Sequence, residues 1–244
     1  SGGKGGQMNI DIPVAVALDV SSGEDAVRLA RTVAPYVGAF KIGLELLSGP
    51  GPVLVSALAE LGKPVFCDAK LHDIPNTVER AATNLARAGA RWVTAHAAGG
   101  PAMIEAAVRG AAKSGTGTGI LCITVLTSLS ASDLAVVGHG DSLGKQVARM
   151  ARLARAGGAE GVVCGVRELG DVAQVAPDLV RVTPGIRPQG SPSDDQARIS
   201  TPEDALARGA DLLVIGRPIT SAPDPAAAAE AIARSIVDSG SPTR

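Results

Sequence analysis

Eight short apolar runs, each followed by an Ala-rich amphipathic stretch, alternate along the 244-residue chain. The runs occupy residues 14–18, 39–42, 64–67, 92–95, 119–125, 161–164, 179–182 and 212–215. Their length and β-branched content are typical of buried strands, and the stretches between them have a helical period. Because strands that alternate with helices pair in parallel through right-handed crossovers, the pattern predicts an α/β fold with a parallel sheet.

The number of units favours one of the two common parallel architectures. Eight strand–helix units in a chain of this length match a single-domain (β/α)8 TIM barrel, which takes about 250 residues. An open doubly wound sheet is the alternative that the pattern leaves open. The predicted helices occupy residues 23–34, 52–61, 76–88, 101–113, 143–156, 166–175, 202–207 and 225–237. We expect the barrel at residues 11–238, flexible tails at 1–10 and 239–244, and one long polar loop at 184–200.

Composition excludes several classes of partner. The formal net charge is −1 and aromatic residues make up 2% of the chain, so neither a basic surface nor a stacking platform for nucleic acid is indicated. Glycines and charges interrupt every apolar run before it reaches the length of a membrane span. We therefore expect no nucleic-acid or membrane partner. Without an apolar leader we also expect a cytoplasmic location.

The three cysteines, Cys67, Cys122 and Cys164, each lie in an apolar run. An odd count without close spacing argues against a disulfide framework or a zinc site. The sequence therefore predicts buried thiols that act as small hydrophobic residues.

Polar or charged residues stand where nearly every predicted strand ends. They are Asp19, Lys41, Asp68, Lys70, Asp73, His96, Thr127, Ser128, Arg187 and Arg217, the last preceded by Gly216. The carboxyl ends of the strands form the active-site face of a TIM barrel. Taken alone, the Asp–Lys pair of the third strand would also fit a structural ion pair. The concentration of polar groups at one rim favours a functional site.

Asp68 and Lys70 project from one face if the strand keeps its period of two. With Lys41 and Asp73 they form a row of alternating charges. A lysine between aspartates stays protonated, because opposite charges favour its ionised form. Such a lysine is a poor general base and a ready general acid.

Two arginines predict a phosphorylated ligand. Arg187 follows the seventh strand, and Gly216-Arg217 follows the eighth. The loops after these strands commonly bind phosphate in TIM barrels. Glycine lets backbone N–H groups approach an anion, and arginine adds charged, bidentate hydrogen-bond donors. An arginine that is solvated or caps a helix would give the same sequence pattern. No spacing of residues fits a metal site, a dinucleotide fingerprint or a nucleophile elbow, and we assign no chemical role to His72 or His96.

These segments together carry a family resemblance. Residues Asp68-Ala69-Lys70-Leu71-His72-Asp73 have the pattern Asp-x-Lys-x-x-Asp, continued by Ile74-Pro75-Asn76-Thr77. Around it stand Ala17-Leu18-Asp19, Phe40-Lys41-Ile42-Gly43, Val125-Leu126-Thr127-Ser128, Thr183-Pro184-Gly185-Ile186-Arg187, Asp195-Gln196 and Ile215-Gly216-Arg217-Pro218-Ile219-Thr220. From Val14 to about Val237, their order and spacing resemble those of the orotidine 5′-phosphate decarboxylase family.

The resemblance implies that orotidine 5′-monophosphate is decarboxylated to UMP, the last step of de novo UMP synthesis, without a metal or an organic cofactor. It implies that Lys70 protonates C6 of the pyrimidine and that Asp68 lies beside the departing carboxylate. It further implies that Lys41 holds Asp68 and contacts the ribose, and that Asp19 binds a ribose hydroxyl.

The resemblance also implies a homodimer, because Asp73 and Thr77 of this family reach into the site of the neighbouring subunit. The remaining substrate contacts that it implies involve Thr127 and Ser128 at the pyrimidine, Gly216 and Arg217 at the phosphate, Pro184 and Arg187 in the same region, and Gln196 from a lid at 185–200.

Two other functions compete with this interpretation. A sugar-phosphate decarboxylase on the same scaffold keeps the Asp-x-Lys-x-x-Asp pattern but uses Mg²⁺, held in part by a Glu at the end of the second strand. Lys41 stands at that place and would repel the ion. A non-catalytic phosphate-binding barrel would explain the arginines but not the alternating charges.

Overall fold

A computed structural model describes residues 10–138, 140, 142–188 and 200–240. Its eight parallel strands close into a barrel in chain order. They are β1 (Val14–Ala17), β2 (Ala39–Ile42), β3 (Val65–Leu71), β4 (Trp92–His96), β5 (Gly119–Ile123), β6 (Gly161–Val163), β7 (Val180–Thr183) and β8 (Leu212–Ile215). The pairing of β8 with β1 closes the sheet, which confirms the predicted TIM barrel over the open sheet.

The helices lie between the strands and after the last of them. They are α1 (Gly23–Val33), α2 (Leu44–Ser48), α3 (Pro52–Ala59), α4 (Pro75–Arg87), α5 (Pro101–Ala112), α6 (Ala131–Val136), α7 (Leu143–Ala156), α8 (Leu169–Val175), α9 (Pro202–Ala207), α10 (Arg217–Thr220) and α11 (Pro225–Asp238). Short 3-10 turns occupy Ala34–Tyr36, Ala97–Gly99 and Val166–Glu168. The sequence missed α2, α6 and α10, since helices this short carry too few turns to show a period.

Most of the long helices begin at a residue that the sequence marks as a start. Proline at the first position opens α3, α4, α5 and α11, where its missing N–H costs nothing. The Ser22 hydroxyl accepts the Asp25 N–H at the start of α1. In α4 this places the first turn directly after the charged end of β3.

The core has two apolar layers that follow the period of two along each strand. One layer fills the barrel interior, and the larger one lies between the strands and the helices. With so few aromatic residues, Phe66 and Trp92 are the largest side chains of the inner layer. Lys41 and Asp68 continue the inward face of β2 and β3 beyond this layer, because they stand two residues after Ala39 and Phe66.

Most of the predicted tails at 1–10 and 239–244 and most of the predicted loop at 184–200 lie outside the described residues. The domain bounds therefore stay a prediction. In the part of the chain that is described, no helix is long and apolar enough to cross a membrane. All three cysteines are buried and unbridged, as predicted.

Candidate active site

Four side chains of alternating charge form a continuous row at the carboxyl ends of β1, β2 and β3. Lys41 Nζ donates to Asp19 Oδ1 at 3.4 Å and lies 4.0 Å from Asp68 Oδ2. Lys70 Nζ donates to the same Asp68 oxygen at 2.5 Å. The row therefore runs Asp19, Lys41, Asp68, Lys70, and each charge has an opposite charge beside it.

Exposure varies along this row. Lys41 is buried, with 10% of its side chain exposed, and the Asp68 side chain is 14% exposed. The exposed fraction rises to 30% for Lys70 and 56% for Asp19. A buried ammonium is costly unless it is paired, and Lys41 is offset by carboxylates on both sides. Lys70 is hydrogen-bonded to Asp68 and is also accessible from the cavity.

The backbone at Lys70 departs from an ordinary strand. Lys70 has a φ of 46°, the only positive φ among the described residues other than glycine. For such a residue the left-handed region costs about 1–2 kcal/mol. The strain coincides with a shift of register between β3 and β4, from Cys67–Val93 to Leu71–Ala95. Residues held in strained conformations concentrate at functional sites, where the surrounding structure enforces them.

A cavity above the inner core brings most of the predicted site residues together. Its lining includes Asp19, Lys41, Asp68, Lys70, Thr127, Pro184, Arg187, Gly216 and Arg217. Apolar side chains such as Phe66, Ile123 and Val214 line the same cavity. A concave pocket with an apolar lining and a few convergent polar groups is typical of a small-molecule site. These apolar residues were not predicted as part of the site, although their inward register could have identified them.

The arginines contribute positive charge to this cavity. Arg187, which follows β7, is 5% exposed, and its backbone N–H donates to the Ser200 carbonyl at 3.0 Å. This bond and the bridge between Ile186 and Ser200 join the two ends of the predicted lid. Arg217 begins α10 directly after Gly216, where a Cβ would lie 3.3 Å from Asp19 Oδ2. Glycine thus lets the end of β8 pass close to the negative end of the charged row.

Four predicted residues are not seen in the lining of the cavity. Asp73 and Thr77 are exposed, and the Asp73 carboxylate accepts the Ile74 backbone N–H at 2.6 Å. Ser128 is exposed beside Thr127. Gln196 lies outside the described residues.

Two histidines flank the row on the side of β4. The rings of His72 and His96 are 5.2 Å apart between centroids and tilted by 31°. Burial lowers the pKa of His96 from 6.5, His72 and Lys70 lower it further by like-charge repulsion, and Asp68 opposes them. The imidazole of His96 is therefore held in its neutral form.

The cysteine nearest the row is chemically inert. Burial, followed by the neighbouring Asp68 charge, raises the pKa of Cys67 to about 12. A thiol is a nucleophile only as thiolate, so Cys67 acts in packing. Over the described ranges, no three His, Cys, Asp or Glu side chains come together as a metal site.

Comparison with known proteins identifies the scaffold. The sequence model of the family described as "Orotidine 5'-phosphate decarboxylase / HUMPS family" matches residues 13–232. The chain belongs to this family. A member named orotidine 5′-phosphate decarboxylase from Anaeromyxobacter sp. (strain K) is 51% identical over 224 residues, which cover 91% of this chain and 97% of that relative.

Other members of the family agree with this assignment. The orotidine 5′-phosphate decarboxylase of Thermobifida fusca (strain YX) is 48% identical over 230 residues, covering 93% of this chain and 97% of its own. The crystal structure of orotidine 5′-phosphate decarboxylase from Lactobacillus acidophilus superposes with a TM-score of 0.80 at 36% identity, covering 92% of this chain and 98% of that one. The barrel and its order of strands are thus those of the family.

Proposed function

We propose that the chain decarboxylates orotidine 5′-monophosphate to UMP and CO2, the last step of de novo pyrimidine synthesis. Membership of the family supports this activity. The observation that carries it is the row Asp19–Lys41–Asp68–Lys70 on the wall of a cavity that also holds Arg187 and Arg217. Such a cavity offers a proton donor, Lys70, and separate cationic groups, Arg187 and Arg217, that can bind a phosphate.

Lys70 is the proton donor in this proposal. When the bond between C6 and the carboxylate breaks, the electron pair stays on C6 in the plane of the ring, where π delocalisation stabilises it little. An ammonium fixed beside that atom supplies the missing stabilisation and then transfers a proton to C6, giving UMP. Within the described structure the side-chain ammonium of Lys70 hydrogen-bonds to Asp68 alone, which leaves two of its three N–H groups for the substrate.

Asp68 has two tasks in the same step. It holds the Lys70 ammonium at 2.5 Å, and its negative charge lies beside the place proposed for the substrate carboxylate. Two neighbouring carboxylates repel each other, and the repulsion ends when one leaves as neutral CO2. Lys41 offsets the charge of Asp68 from the other side, at 4.0 Å.

The remaining contacts bind and orient the nucleotide. We assign the ribose to Asp19 and Lys41, the pyrimidine to Thr127 and Ser128, and the phosphate to Gly216, Arg217 and Arg187. Pro184 and Gln196 would complete the substrate site, and Gln196 would do so from the lid at 185–200. Binding energy from a phosphate remote from C6 can position the ring for reaction.

The position of Lys41 supports this activity over that of a Mg²⁺-dependent relative. Its Nζ lies between Asp19 Oδ1, at 3.4 Å, and Asp68 Oδ2, at 4.0 Å. Among the described residues these are the two carboxylates that line the cavity, so the ammonium occupies the place where a divalent cation would bind both. A lysine at this place repels such an ion.

The deciding experiment follows the absorbance of orotidine 5′-monophosphate after the purified chain is added with excess EDTA. We expect complete conversion to UMP at an undiminished rate. Absence of conversion would refute the proposed activity. Conversion that EDTA stops and Mg²⁺ restores would instead favour a metal-dependent reaction.

We also propose that the active form is a homodimer whose subunits exchange Asp73 and Thr77. Both residues are exposed at the start of α4, beside Ile74, which is 66% exposed. Neither is among the described residues that line the cavity of its own chain. A second copy would cover the apolar Ile74 and bring Asp73 to the row of charges of its partner.

Mixing inactive subunits tests the exchange. Equal amounts of Lys70→Ala and Asp73→Ala chains, unfolded and refolded together, should regain about a quarter of the parental activity, since half of the dimers are mixed and each carries one complete site. Lys70→Ala mixed with the double variant Lys70→Ala/Asp73→Ala is the control and should regain nothing. If both mixtures stay inactive, the shared site is refuted.

The proposal assigns this activity to residues 11–238 and to the cytoplasm. Three buried, unbridged cysteines are typical of a reducing compartment, which supports the cytoplasmic location.

A further inference from the structure

Thr94 of β4 lies under the catalytic pair and touches both of its members. Its hydroxyl accepts the backbone N–H of Lys70 at 2.8 Å and donates to Asp68 Oδ1 at 3.0 Å. The side chain is fully buried. A single hydroxyl thus joins the backbone of the proposed proton donor to the side chain of its carboxylate partner.

The register of the sheet explains why this hydroxyl is needed. Between the pairs Cys67–Val93 and Leu71–Ala95, three residues of β3 face the single residue Thr94 of β4. Such a bulge interrupts the ladder of backbone hydrogen bonds. The Thr94 hydroxyl takes the place of a backbone carbonyl as the acceptor for the Lys70 N–H, at the residue whose φ is 46°.

The second bond divides the two oxygens of Asp68 between two tasks. Oδ1 accepts the Thr94 hydroxyl, while Oδ2 accepts Lys70 Nζ and faces Lys41. Because a hydroxyl has one proton, donating it to Asp68 orients its lone pairs toward the Lys70 N–H. The orientation of the carboxylate and the backbone conformation of the lysine are therefore coupled through one atom.

We infer that Thr94 is a positioning residue for the decarboxylation. It holds the bulge of β3 in the conformation that directs Lys70 Nζ into the cavity, and it fixes the rotation of Asp68 beside it. It acts on the substrate only through these two residues. The inference rests on the proposed roles of Lys70 and Asp68, and it adds a requirement that those roles do not contain.

Two pairs of variants isolate the hydroxyl. Thr94→Val removes it at nearly constant shape, and Thr94→Ala compared with Thr94→Ser removes it in the absence of the methyl group. We expect loss of the hydroxyl to lower kcat by about tenfold to a hundredfold in both pairs, the effect of a misplacement of about 1 Å. The dissociation constant for UMP should change less than about twofold, because the ground-state contacts remain.

Thr83→Val is the matched control for the loss of a buried hydroxyl. The Thr83 hydroxyl lies within hydrogen-bonding distance of the carbonyls of Glu79 and Gly110, at 2.9 and 2.8 Å, between α4 and α5 and away from the cavity. We expect this variant to lose thermal stability with kcat unchanged. Thr94→Ser should retain kcat within about threefold of the parent, because it keeps both bonds.

The outcomes separate the inference from the function on which it rests. If Thr94→Val fails to fold, the Ser and Ala variants decide the question. Equal kcat values within each hydroxyl pair, in an enzyme whose parent is active and whose Lys70→Ala variant is not, would overturn the role of Thr94 alone. A fall in kcat in Thr83→Val equal to that in Thr94→Val would also overturn it. An inactive parent would overturn both.

Discussion

The two rims of the barrel both carry opposite charges at strand ends, and they use them differently. At the amino-terminal rim, just before β4 and β6, Arg91 Nη2 and Nη1 donate to Glu160 Oε1 and Oε2 at 2.7 and 2.9 Å. Trp92 Nε1 adds a bond of 2.9 Å to Oε1, and the guanidinium of Arg91 lies 4.7 Å from the Trp92 ring centroid. Two guanidinium N–H groups of Arg91 and the indole N–H of Trp92 thus converge on one carboxylate, and both of its oxygens are used.

The carboxyl-terminal rim has the same kinds of residue in a looser arrangement. Lys41 lies 3.4 Å from one carboxylate and 4.0 Å from the next. The ammonium of Lys70 has more donors than its carboxylate partner uses. The lysine ammonium is a point charge on a flexible side chain and can turn toward a ligand. The planar guanidinium of Arg91 is held in a fixed orientation by its bidentate pair with Glu160. Access to a cavity and the freedom to turn toward a ligand, more than the presence of charge, distinguish the proposed site from a structural ion pair.

Gly119 shows how tightly the amino-terminal rim is packed. At Gly119, the first residue of β5, a Cβ would lie 1.9 Å from Glu160 Oε2. Any larger residue would displace the carboxylate from Arg91. The amino-terminal pair therefore depends on an empty position in the strand between its two partners, as expected for a rigid structural contact.

The largest expected effect is that of Lys70→Ala at the carboxyl-terminal rim. We expect kcat to fall by at least about a thousandfold, because the variant loses both the proton donor and the charge at C6. The affinity for UMP should persist, since the phosphate and ribose contacts remain. Steady-state assays and calorimetric titration with UMP measure the two quantities.

Lys63→Ala is the control for this prediction. Lys63 lies at the opposite end of the same strand, two residues before β3 begins, so its loss should leave kcat unchanged. A Lys70→Ala enzyme that keeps an appreciable fraction of the parental kcat would remove the functional contrast between the rims.

An intermediate effect, on stability alone, is expected for Glu160→Gln at the amino-terminal rim. The variant keeps the shape but places an amide NH2 against Arg91, which should lower the free energy of unfolding by about 1–3 kcal/mol. The kcat of the folded enzyme should not change. Urea denaturation and activity assays on the same preparation test both statements.

Asp178→Asn provides the matched comparison for Glu160→Gln. Its carboxylate meets Arg155 at 2.7 Å, the same distance as in the Arg91–Glu160 pair, but both side chains are about half exposed. Exposed pairs contribute about 0–1 kcal/mol. If Glu160→Gln lowers the free energy of unfolding no more than Asp178→Asn does, the Arg91–Glu160 pair does not stabilise the barrel as its geometry indicates.

The smallest effect is a pH dependence of stability from His96. Its pKa in the folded chain is lowered below 6.5 by burial, then by His72 and Lys70. Just below pH 6.5 the unfolded chain therefore binds more protons than the folded one, so the free energy of unfolding falls as the pH is lowered through this window. His96→Asn should flatten this slope in denaturation curves between pH 7.5 and 5.5. An unchanged slope would place its origin elsewhere.

The sequence predicted which residues line the cavity better than it predicted the hydrogen bonds and backbone conformation that position them. Asp68 and Lys70 were placed on one inward face by the period of two, and the arginines after β7 and β8 by the rule for phosphate loops. The role of Thr94 was missed, because a threonine in an apolar strand differs little from valine until its neighbours are known. Its signal was a polar residue at inward register, between Trp92 and His96.

The bulge in β3 could not be read from the sequence either. A regular strand through Asp68 and Lys70 gives the same alternation as the observed one, in which Lys70 has a positive φ. The deviation arises where β3 meets β4, and the hydrogen bond that stabilises it comes from Thr94, 24 positions along the chain. Only the pairing of the two strands brings that donor and acceptor together.

The alternation of strands and helices by itself determined that this chain forms a parallel α/β fold of eight units, because period and length are local properties that each segment carries alone. The pairing of β8 with β1 in the tertiary structure decided that the sheet closes into a barrel. The sequence also determined which residue types stand at the carboxyl-terminal rim. The tertiary structure decided which of those charges form ion pairs and which of them also face the cavity. The reason is that hydrogen-bond geometry depends on register between strands distant in sequence. The tertiary structure also left Asp73 and Thr77 exposed beside Ile74, so whether they complete a site depends on a second copy of the chain.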